Sequence, residues 1–340
     1  MKAKPTSFDI AQLAGVSQPT VSRALSGSAS VSEATRKRIE AIARQLNYTV
    51  DKHASSLRRR QSNTLALLFF EDPTPDQSLI NPFFLSMLGT ITRTCALRGY
   101  DLLTSFQQMS SDWHVAYEDS HKADGIILLG YGDYEEYRAR LDMLIAQGTH
   151  FVRWGSVQPG EPGTVIGCDN RRGGADAAAH LIAGGRRRIA FVGQASSHYP
   201  EFNERYRGAC AAQSAVDIVP DPALQVDALN TQQAGFEAVR TLIARGARFD
   251  ALFAASDTIA IGALAALAEA GLDVPGDVAL VGFDDIPAAS LTHPPLTTIA
   301  QNYLAAGEVL VDTLLARIRD EPVTSVVLPG RLVVRRSSEG

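Results

Sequence analysis

Cysteine is scarce in this chain, and several motifs that mark enzymes are missing. Only Cys95, Cys168 and Cys210 occur in 340 residues, and they lack both C-x-x-C and Cys/His metal spacing. We therefore expect buried thiols in a reducing cytoplasm, with no metal site. There is also no P-loop, no G-x-G-x-x-G after a strand, no G-x-S-x-G and no H-E-x-x-H. The sequence thus favours a protein that is not an enzyme, with no catalytic residues and no cofactor.

Long apolar runs are missing as well. No stretch approaches the roughly 20 apolar residues that a membrane span needs. The N-terminus, with Lys2, Lys4 and Asp9, does not resemble a signal peptide. We expect a cytoplasmic protein that does not contact a membrane.

Charge is modest overall but unevenly distributed. The formal net charge is −5, yet residues 1–62 contain 11 Lys or Arg against 4 Asp or Glu, which leaves −12 for the remainder. A basic head on an acidic body indicates that only the head meets a polyanion. A merely solvated basic surface is the alternative.

The head contains two short amphipathic stretches on either side of one glycine. Apolar residues recur there at helical spacing: Ile10, Leu13 and Ala14 before Gly15, and Val21, Ala24 and Leu25 after it. Gly15 can end the first helix in the left-handed conformation, and Ser17 is a natural N-cap for the second. Two helices joined by such a turn form a helix-turn-helix unit. Ser32 begins a third helix.

Beyond Thr64, apolar strands alternate with longer amphipathic segments. The strands are predicted at 65–70, 125–129, 151–154, 188–193, 251–255 and 278–283. Their near-continuous apolar character is typical of parallel strands covered by helices on both faces. The body is therefore predicted to be a doubly wound α/β structure, and such sheets bind ligands at the carboxyl ends of their strands.

Short motifs link the head and the body to one family. In the head they include Gly15-Val16-Ser17, Thr20-Val21-Ser22-Arg23 and Leu46-Asn47-Tyr48; in the body they include Cys168-Asp169-Asn170, Arg205-Tyr206-Arg207-Gly208, Gly282-Phe283-Asp284-Asp285 and Pro295-Leu296-Thr297-Thr298-Ile299. With these motifs the chain resembles the lac-repressor (LacI/GalR) family of bacterial transcription regulators over essentially its whole length.

The resemblance implies a domain plan. Residues 1–50 would be an all-α DNA-binding headpiece, 51–62 a hinge helix or linker, and 63–340 a two-lobed core similar to type I periplasmic binding proteins. The core would bind an effector and form the dimer. Lobe one would span about 63–163 and 294–322, and lobe two about 164–293 and 323–340.

The resemblance also assigns DNA contacts. The second helix of the headpiece would lie in the major groove of DNA. There Gln18 can pair with adenine and Arg23 with guanine, while Pro19 offers shape or apolar contact only. Phosphate contacts would come from Ser17, Thr20, Ser22, Ser26, Ser30, Thr35 and Tyr48. In the hinge, Leu57 with Ala54 beside it matches an apolar wedge in the minor groove. A plain basic linker is the alternative for the hinge.

Effector contacts are expected at strand ends. Arg205 and Asp284 match family positions that hold a ligand, although the two could instead form a resting salt bridge, as could Arg205 with Glu204. The remaining candidates are Ser256 and Gln301 as polar groups, Phe70, Phe83, Phe84 and Trp154 as aromatic faces, and Asn230 where several relatives have an aromatic residue. An indole that follows Arg153 at a strand end is not expected to be wholly buried.

The function that follows is a homodimeric repressor of carbohydrate-utilisation genes. It would bind a palindromic double-stranded operator and release it when a mono- or disaccharide binds. The alternative within the family is a corepressor-type regulator whose sugar or purine-like ligand strengthens DNA binding. A solute receptor without regulatory coupling and an enzyme of the same fold class are the remaining rivals.

Overall fold

The computed structural model describes residues 5–25, 27–46, 48, 61–72, 78–108, 111–130 and 132–339. The chain divides into two units, Met1–Ser62 and Asn63–Gly340, which we call the headpiece and the core. The predicted contact residues Ser26, Ala54 and Leu57 lie outside the described residues. Among the described residues, no helix is long and apolar enough to cross a membrane.

The described part of the headpiece contains three helices: α1 Ser7–Ala14, α2 Gln18–Leu25 and α3 Glu33–Gln45. A capping box begins α1, because Thr6 and Asp9 each accept a hydrogen bond from the other's backbone N–H. Gly15 ends α1 with φ +63°, and the Ser32 hydroxyl accepts from Thr35 N at 3.3 Å to begin α3. The predictions for these two residues are confirmed.

A small apolar core holds the three helices together. It consists of Ile10, Ala11, Ala14, Val21, Ala24, Val31, Ile39 and Ala43. Leu13 is 63% exposed, so the prediction that it shares one apolar face with Ile10 and Ala14 is wrong. The buried face of α1 is centred on Ile10 and Ala14 and extends towards Ala11, and Leu13 lies beyond its other edge.

The core unit alternates strands and helices, as predicted. Within the described residues its strands are β1 Thr64–Phe69, β2 Asp101–Phe106, β3 Gly125–Leu129, β4 Phe151–Trp154, β5 Thr164–Cys168, β6 Ile189–Val192, β7 Gln225–Val226, β8 Ala251–Ala254, β9 Ala279–Asp284, β10 Thr297–Ala300, β11 Val326–Leu328 and β12 Arg331–Val333. Its α-helices are α4 Pro82–Leu97, α5 Tyr134–Ala146, α6 Asn170–Ala183, α7 Pro200–Ser214, α8 Gln232–Ala244, α9 Asp257–Glu269 and α10 Tyr303–Ile318. Short π- and 3₁₀-helical turns lie at His114–Asp119, Pro222–Leu224 and Pro287–Ser290.

Two six-stranded sheets define two lobes. Lobe one has the order β11-β5-β4-β3-β1-β2, and lobe two has the order β12-β10-β9-β8-β6-β7. All of the paired strands run parallel except β12, which is antiparallel to β10. Leu65 and Leu67 of β1 pack on one face of their sheet and Ala66 and Leu68 on the other. Both faces of β1 are therefore buried, which explains its continuous apolar sequence.

The structure corrects the predicted lobe boundaries in three places. Thr164–Cys168 pairs with β4 and Val326–Leu328 with β5, so both segments belong to lobe one. Thr297–Ala300 pairs with β9 and so belongs to lobe two. The chain changes lobe after a strand ends rather than before it begins, because the backbone of each strand needs the hydrogen bonds of its neighbour.

The three lobe crossings, at Asp169, Gln301–Asn302 and Pro329–Gly330, lie side by side. Asp169 N donates to Leu328 O at 2.9 Å. A Cβ added to Gly330 would lie 2.9 Å from the Ile299 side chain and 3.3 Å from Cys168 Sγ. Cys95 and Cys168 are buried as predicted, whereas Cys210 is half-buried; all three are free thiols.

Candidate functional site

The candidate DNA-contacting residues of α2 lie away from its buried face. Val21 and Ala24 face the headpiece core, while the other side carries exposed Pro19, Ser22 and Arg23 and half-buried Gln18 and Thr20, with exposed Ser17 in the preceding turn. Gln18 Nε2 donates to Ser7 Oγ at 3.2 Å, and the Ser17 and Thr20 hydroxyls are 2.8 Å apart. Gln18 would have to release Ser7 before it could pair with a base.

The other described candidates of the headpiece surround the loop between α2 and α3. The Arg36 guanidinium donates to Ser28 O at 2.7 Å, which ties this loop to α3. The Ser28 and Ser30 hydroxyls are 2.9 Å apart, and Ser30 is exposed. Thr35 is half-buried beside the Ser32 cap, and half-buried Tyr48 packs against the headpiece core. These hydroxyls follow α2 in the chain and reach the surface of the unit.

A cavity of about 390 Å³ lies between the two lobes, within the usual size range of small-molecule sites. Lobe one contributes Phe70, Asp72, Gly132, Asp133, Glu136 and Tyr137, and lobe two contributes Tyr199, Phe202, Leu229, Asn230 and Thr231. These residues follow the carboxyl ends of β1, β3, β6 and β7, where a parallel α/β sheet presents its loops. Tyr199 and Phe202 form one wall, with nearly parallel rings 6.4 Å apart.

Two side-chain atoms of residues that line the cavity, one from each lobe, are buried without a partner among the described residues. They are Asp72 Oδ2, of lobe one, and Asn230 Nδ2, of lobe two. Burial raises the pKa of Asp72 to about 7. Buried polar atoms without partners are uncommon and costly, and a bound ligand is one way to satisfy them.

Phe70 and Asn230 are the predicted effector residues that line this cavity. Trp154 is only 3% exposed, contrary to prediction, and it lines an adjacent space of about 20 Å³ that holds little more than one water. Phe83 and Phe84 are each 1% exposed and line neither space. Phe83 packs against Trp154, with centroids 5.7 Å apart, because the start of α4 faces the end of β4. These three aromatic residues belong to the core of lobe one.

The remaining candidates form a buried polar network beneath the cavity. The Arg205 guanidinium donates to Asn170 Oδ1 at 2.9 Å and lies 3.7 Å from Asp284 Oδ1, while Gln301 Nε2 donates to Asp284 at 2.6 Å. The alternative of a resting salt bridge between Arg205 and Asp284 is thus the arrangement that the structure shows. Glu204 pairs with Arg171 and Arg207 instead.

Burial dominates the electrostatics of this network. Desolvation raises the pKa of Asp284 to about 6, although Arg205 and Gln301 oppose the shift. Its Oδ2 has no partner among the described residues. Asp284 has φ +118°, an unusual value for a residue with a side chain. The neighbouring Asp285 turns the other way and pairs with Arg335 at 2.7 Å, so the two carboxylates do not act together.

Two residues connect this network to the cavity wall. The Arg205 guanidinium lies 5.1 Å from the centre of the Phe202 ring. Ser256 Oγ donates to Asn230 Oδ1. Arg205, Ser256, Asp284 and Gln301 are at most 3% exposed and do not line the 390 Å³ cavity. They therefore support the wall of the cavity rather than forming it.

Glycines bring α6 and α7 close enough to place Arg205 in this network. A Cβ on Gly174 would lie 2.0 Å from Arg205 O, and one on Gly208 would lie 2.0 Å from Arg171 O. Only glycine permits such an approach of two helix backbones. The glycine of the Arg205-Tyr206-Arg207-Gly208 motif is thus explained by helix packing.

Three contacts join the lobes beside the cavity. Ser156 N of lobe one donates to Glu201 Oε1 of lobe two at 2.8 Å, and desolvation raises the pKa of Glu201. Tyr134 N donates to His198 O at 2.8 Å. His198 Nδ1 lies 2.8 Å from Asp133 Oδ2.

The pKa values of this last pair shift in opposite directions. The hydrogen bond to Asp133 raises the pKa of His198. Desolvation raises the pKa of Asp133, but hydrogen bonds from His198 and from the N–H groups that begin α5 outweigh it, so the pKa is lowered. Both shifts favour the ion pair.

Sequence reasoning missed most of the cavity wall. Asp72, Tyr137, Tyr199 and Phe202 were not among the candidates. Asp72 follows β1 by three residues, so the strand-end rule that selected Phe70 could have selected it. Tyr137 and Phe202 lie inside helices, and their exposure to the cavity depends on how those helices pack.

Known families match both units. Residues 8–51 match the bacterial regulatory proteins of the lacI family, and residues 178–338 match a periplasmic binding protein-like domain. The ribose operon repressor of Escherichia coli (strain K12) is 32% identical over 92% of this chain and 93% of its own length. The chain therefore belongs to the lacI family of bacterial regulatory proteins.

Solved structures agree with this assignment. A complex of the transcriptional regulator CelR with cellobiose is 31% identical, with a TM-score of 0.72 over 98% of this chain and 99% of that one. The lac repressor dimer bound to operator and the anti-inducer ONPF is 26% identical, with a TM-score of 0.84 over 99% of each chain.

Proposed function

We propose that this protein is a dimeric transcriptional repressor that holds a palindromic operator and releases it when a sugar binds between the lobes. The observation that carries the proposal is that one chain combines a helix-turn-helix headpiece with a ligand-sized cavity between two parallel-sheet lobes. Relatives that bear the names ribose operon repressor and CelR–cellobiose complex support a sugar as the effector. The lac repressor dimer bound to operator supports the dimer.

The headpiece roles follow from the family resemblance, and the exposed face of α2 supports those of the residues in that helix. Gln18 and Arg23 would contact base edges, with Pro19 giving shape or apolar contact. Hydroxyl-bearing residues would hold phosphates and set the register: Ser17, Thr20, Ser22, Ser26, Ser30, Thr35 and Tyr48. Ala54 and Leu57 would enter the minor groove.

In the core, Phe70 and Asn230 would contact the sugar directly. Arg205, Ser256, Asp284 and Gln301 would hold the cavity wall in place through Phe202 and Asn230. A sugar that bridges both walls favours one orientation of the lobes, and DNA release then requires that this orientation binds operator less well.

The decisive test is whether a sugar weakens or strengthens operator binding. Duplexes that bind the full chain are selected from a random pool, and their affinity is measured by gel shift with and without sugars. We expect one palindromic sequence to be preferred and one sugar to weaken the complex. Strengthened binding would favour a corepressor instead, and a lack of preference for any duplex would refute the proposal.

The Gln18→Ala variant tests the reading helix. Loss of a bidentate base contact should cost about 1–3 kcal/mol of operator discrimination. The matched control is Gln12→Ala, which removes an exposed glutamine from α1. An unchanged operator preference in Gln18→Ala would show that α2 does not read the bases as assigned.

A further inference from the structure

We infer that the cavity between the lobes selects a sugar without negative charge and excludes phosphorylated and acidic sugars, with Asp72 as a specificity-determining residue. The inference rests on the proposed function, since it names the chemical class of the effector that the repressor would bind.

The charged side chains on the cavity wall are all acidic. They are Asp72, Asp133 and Glu136, and no Lys, Arg or His lines the cavity among the described residues. The sequence of residues 73–77 and 131, which lie outside the description, contains no basic residue. An anionic ligand would therefore meet like charge without a basic partner from the wall.

Three basic groups near the cavity already have acidic partners. Arg205 lies with Asp284, and Arg153 pairs with Glu161. His198 pairs with Asp133 at the cavity edge, so this pair adds little net charge. A phosphate could recruit one of these groups only by breaking an existing ion pair, and the two arginine pairs are buried.

The two polar atoms without partners fit a hydroxyl ligand. Asp72 is 7% exposed, and its Oδ2 can only accept a hydrogen bond when the carboxylate is ionised, whereas Asn230 Nδ2 can only donate. A sugar hydroxyl both donates and accepts, so a polyol carries the groups that both atoms lack. An ionised phosphate or carboxylate offers acceptors alone, so it would meet like charge at ionised Asp72 and could pair with Oδ2 only after that carboxyl, whose pKa burial raises to about 7, takes up a proton. The stacked Tyr199 and Phe202 rings suit the apolar face of a sugar ring.

The test uses matched pairs of probes on the full-length wild-type protein. Ribose, glucose, fructose and cellobiose are compared with ribose 5-phosphate, glucose 6-phosphate, fructose 1-phosphate and cellobionic acid by calorimetry and operator gel shift. We expect binding among the uncharged members, with the anionic partner of any such sugar at least about tenfold weaker. An anionic member that binds more tightly than its parent would overturn the inference.

The Asp72→Asn variant tests the assigned residue. It keeps the size of the side chain but removes the charge and adds an N–H donor, so we expect about tenfold weaker binding of the uncharged sugar. The difference in affinity between the uncharged sugar and its anionic partner should also narrow. The matched control is Glu71→Gln, which removes the same charge from the adjacent exposed residue that does not line the cavity. Equal effects of both variants would overturn the role of Asp72.

The outcomes separate this inference from the function beneath it. If an anionic sugar binds best and releases the operator, the repressor function stands and the charge selection is wrong. If no sugar of either class binds or alters operator binding, both the charge selection and the proposed sugar-responsive function are wrong. The comparison on the wild type does not depend on the folding of any variant.

Discussion

In the headpiece, the polar residues of α2 lie on a surface above a small apolar core, whereas in the core unit Arg205, Asp284 and Ser256 lie inside the protein. Arg23 is exposed, but Arg205 has no exposed surface at all. A charge in solvent costs little because water solvates it, while a buried charge must be compensated within the fold. The headpiece can thus lose polar groups without unfolding, and the core cannot.

The Arg205→Ala variant should show the largest effect of this contrast. It leaves Asp284 buried without its cation, and we expect a loss of about 3–5 kcal/mol in the free energy of unfolding. The matched control is Arg207→Ala, whose exposed pair with Glu204 should contribute at most about 1 kcal/mol.

Chemical denaturation of both variants measures the difference. The double variant Arg205→Met/Asp284→Asn, which removes both charges, should recover part of the lost stability. Equal stability of Arg205→Ala and Arg207→Ala would show that burial does not distinguish the two arginines.

An Ile39→Ala variant tests the small apolar core of the headpiece. A large-to-small change at a fully buried site costs about 2–5 kcal/mol, and a domain of this size has little stability to lose. We expect operator binding to be lost while sugar binding by the core persists, measured by gel shift and calorimetry.

The matched control is Ile127→Ala in β3, which is equally buried in the larger unit. It should lower the stability of the core but leave operator binding in place at low temperature. Loss of operator binding in Ile127→Ala but not in Ile39→Ala would contradict the expectation that operator binding depends mainly on the stability of the headpiece.

A smaller effect is expected from pH at the edge of the cavity. The pKa of His198 is raised above 6.5 by Asp133, so its contribution to stability is complete below pH 6.5 and is lost as the pH rises through the raised value. The pKa of Asp133 is lowered below 3.8, so its contribution is present above pH 3.8 and is lost only in acid through the lowered value. The pair is half-exposed, and its contribution should be small.

Thermal unfolding of wild type and His198→Gln between pH 5.5 and about 8.5 checks this. The unfolding temperatures of the two proteins should differ most at the acid end of this range and converge as the pH rises. The control His121→Asn removes an exposed histidine at φ +55°, a conformation that asparagine tolerates. A difference in unfolding temperature between wild type and His198→Gln that widened as the pH rose would contradict the ion pair of His198 with Asp133.

Local patterns predicted the headpiece well because its elements depend on near neighbours. The Gly15 turn, the Ser32 cap and the buried faces of α2 and α3 follow from spacing alone. Leu13 was misplaced because the buried face of α1 extends from Ile10 and Ala14 towards Ala11, on the side away from Leu13. In the core, all six predicted strands are observed, and six other strands of the described residues were missed. β2 was missed because it is half-exposed and lacks a continuous apolar run.

The candidate site was only partly predictable because it depends on distant pairings. Phe70 follows from a strand end, but the depth of Phe83, Phe84 and Trp154 depends on how α4 packs against β4. Asn230 and Asp72 are 158 positions apart, and only the topology of the two sheets brings them to one cavity. The lobe boundaries were wrong for the same reason, since they depend on which strands pair.

The three adjacent crossings at Asp169, Gln301–Asn302 and Pro329–Gly330 have a mechanical consequence. A single connecting strand would let one half of the core twist, slide and swing against the other. Three adjacent connecting segments restrain twisting and sliding of the lobes and favour hinge rotation about one axis. A ligand that favours one lobe orientation would then act on a single angle between the lobes.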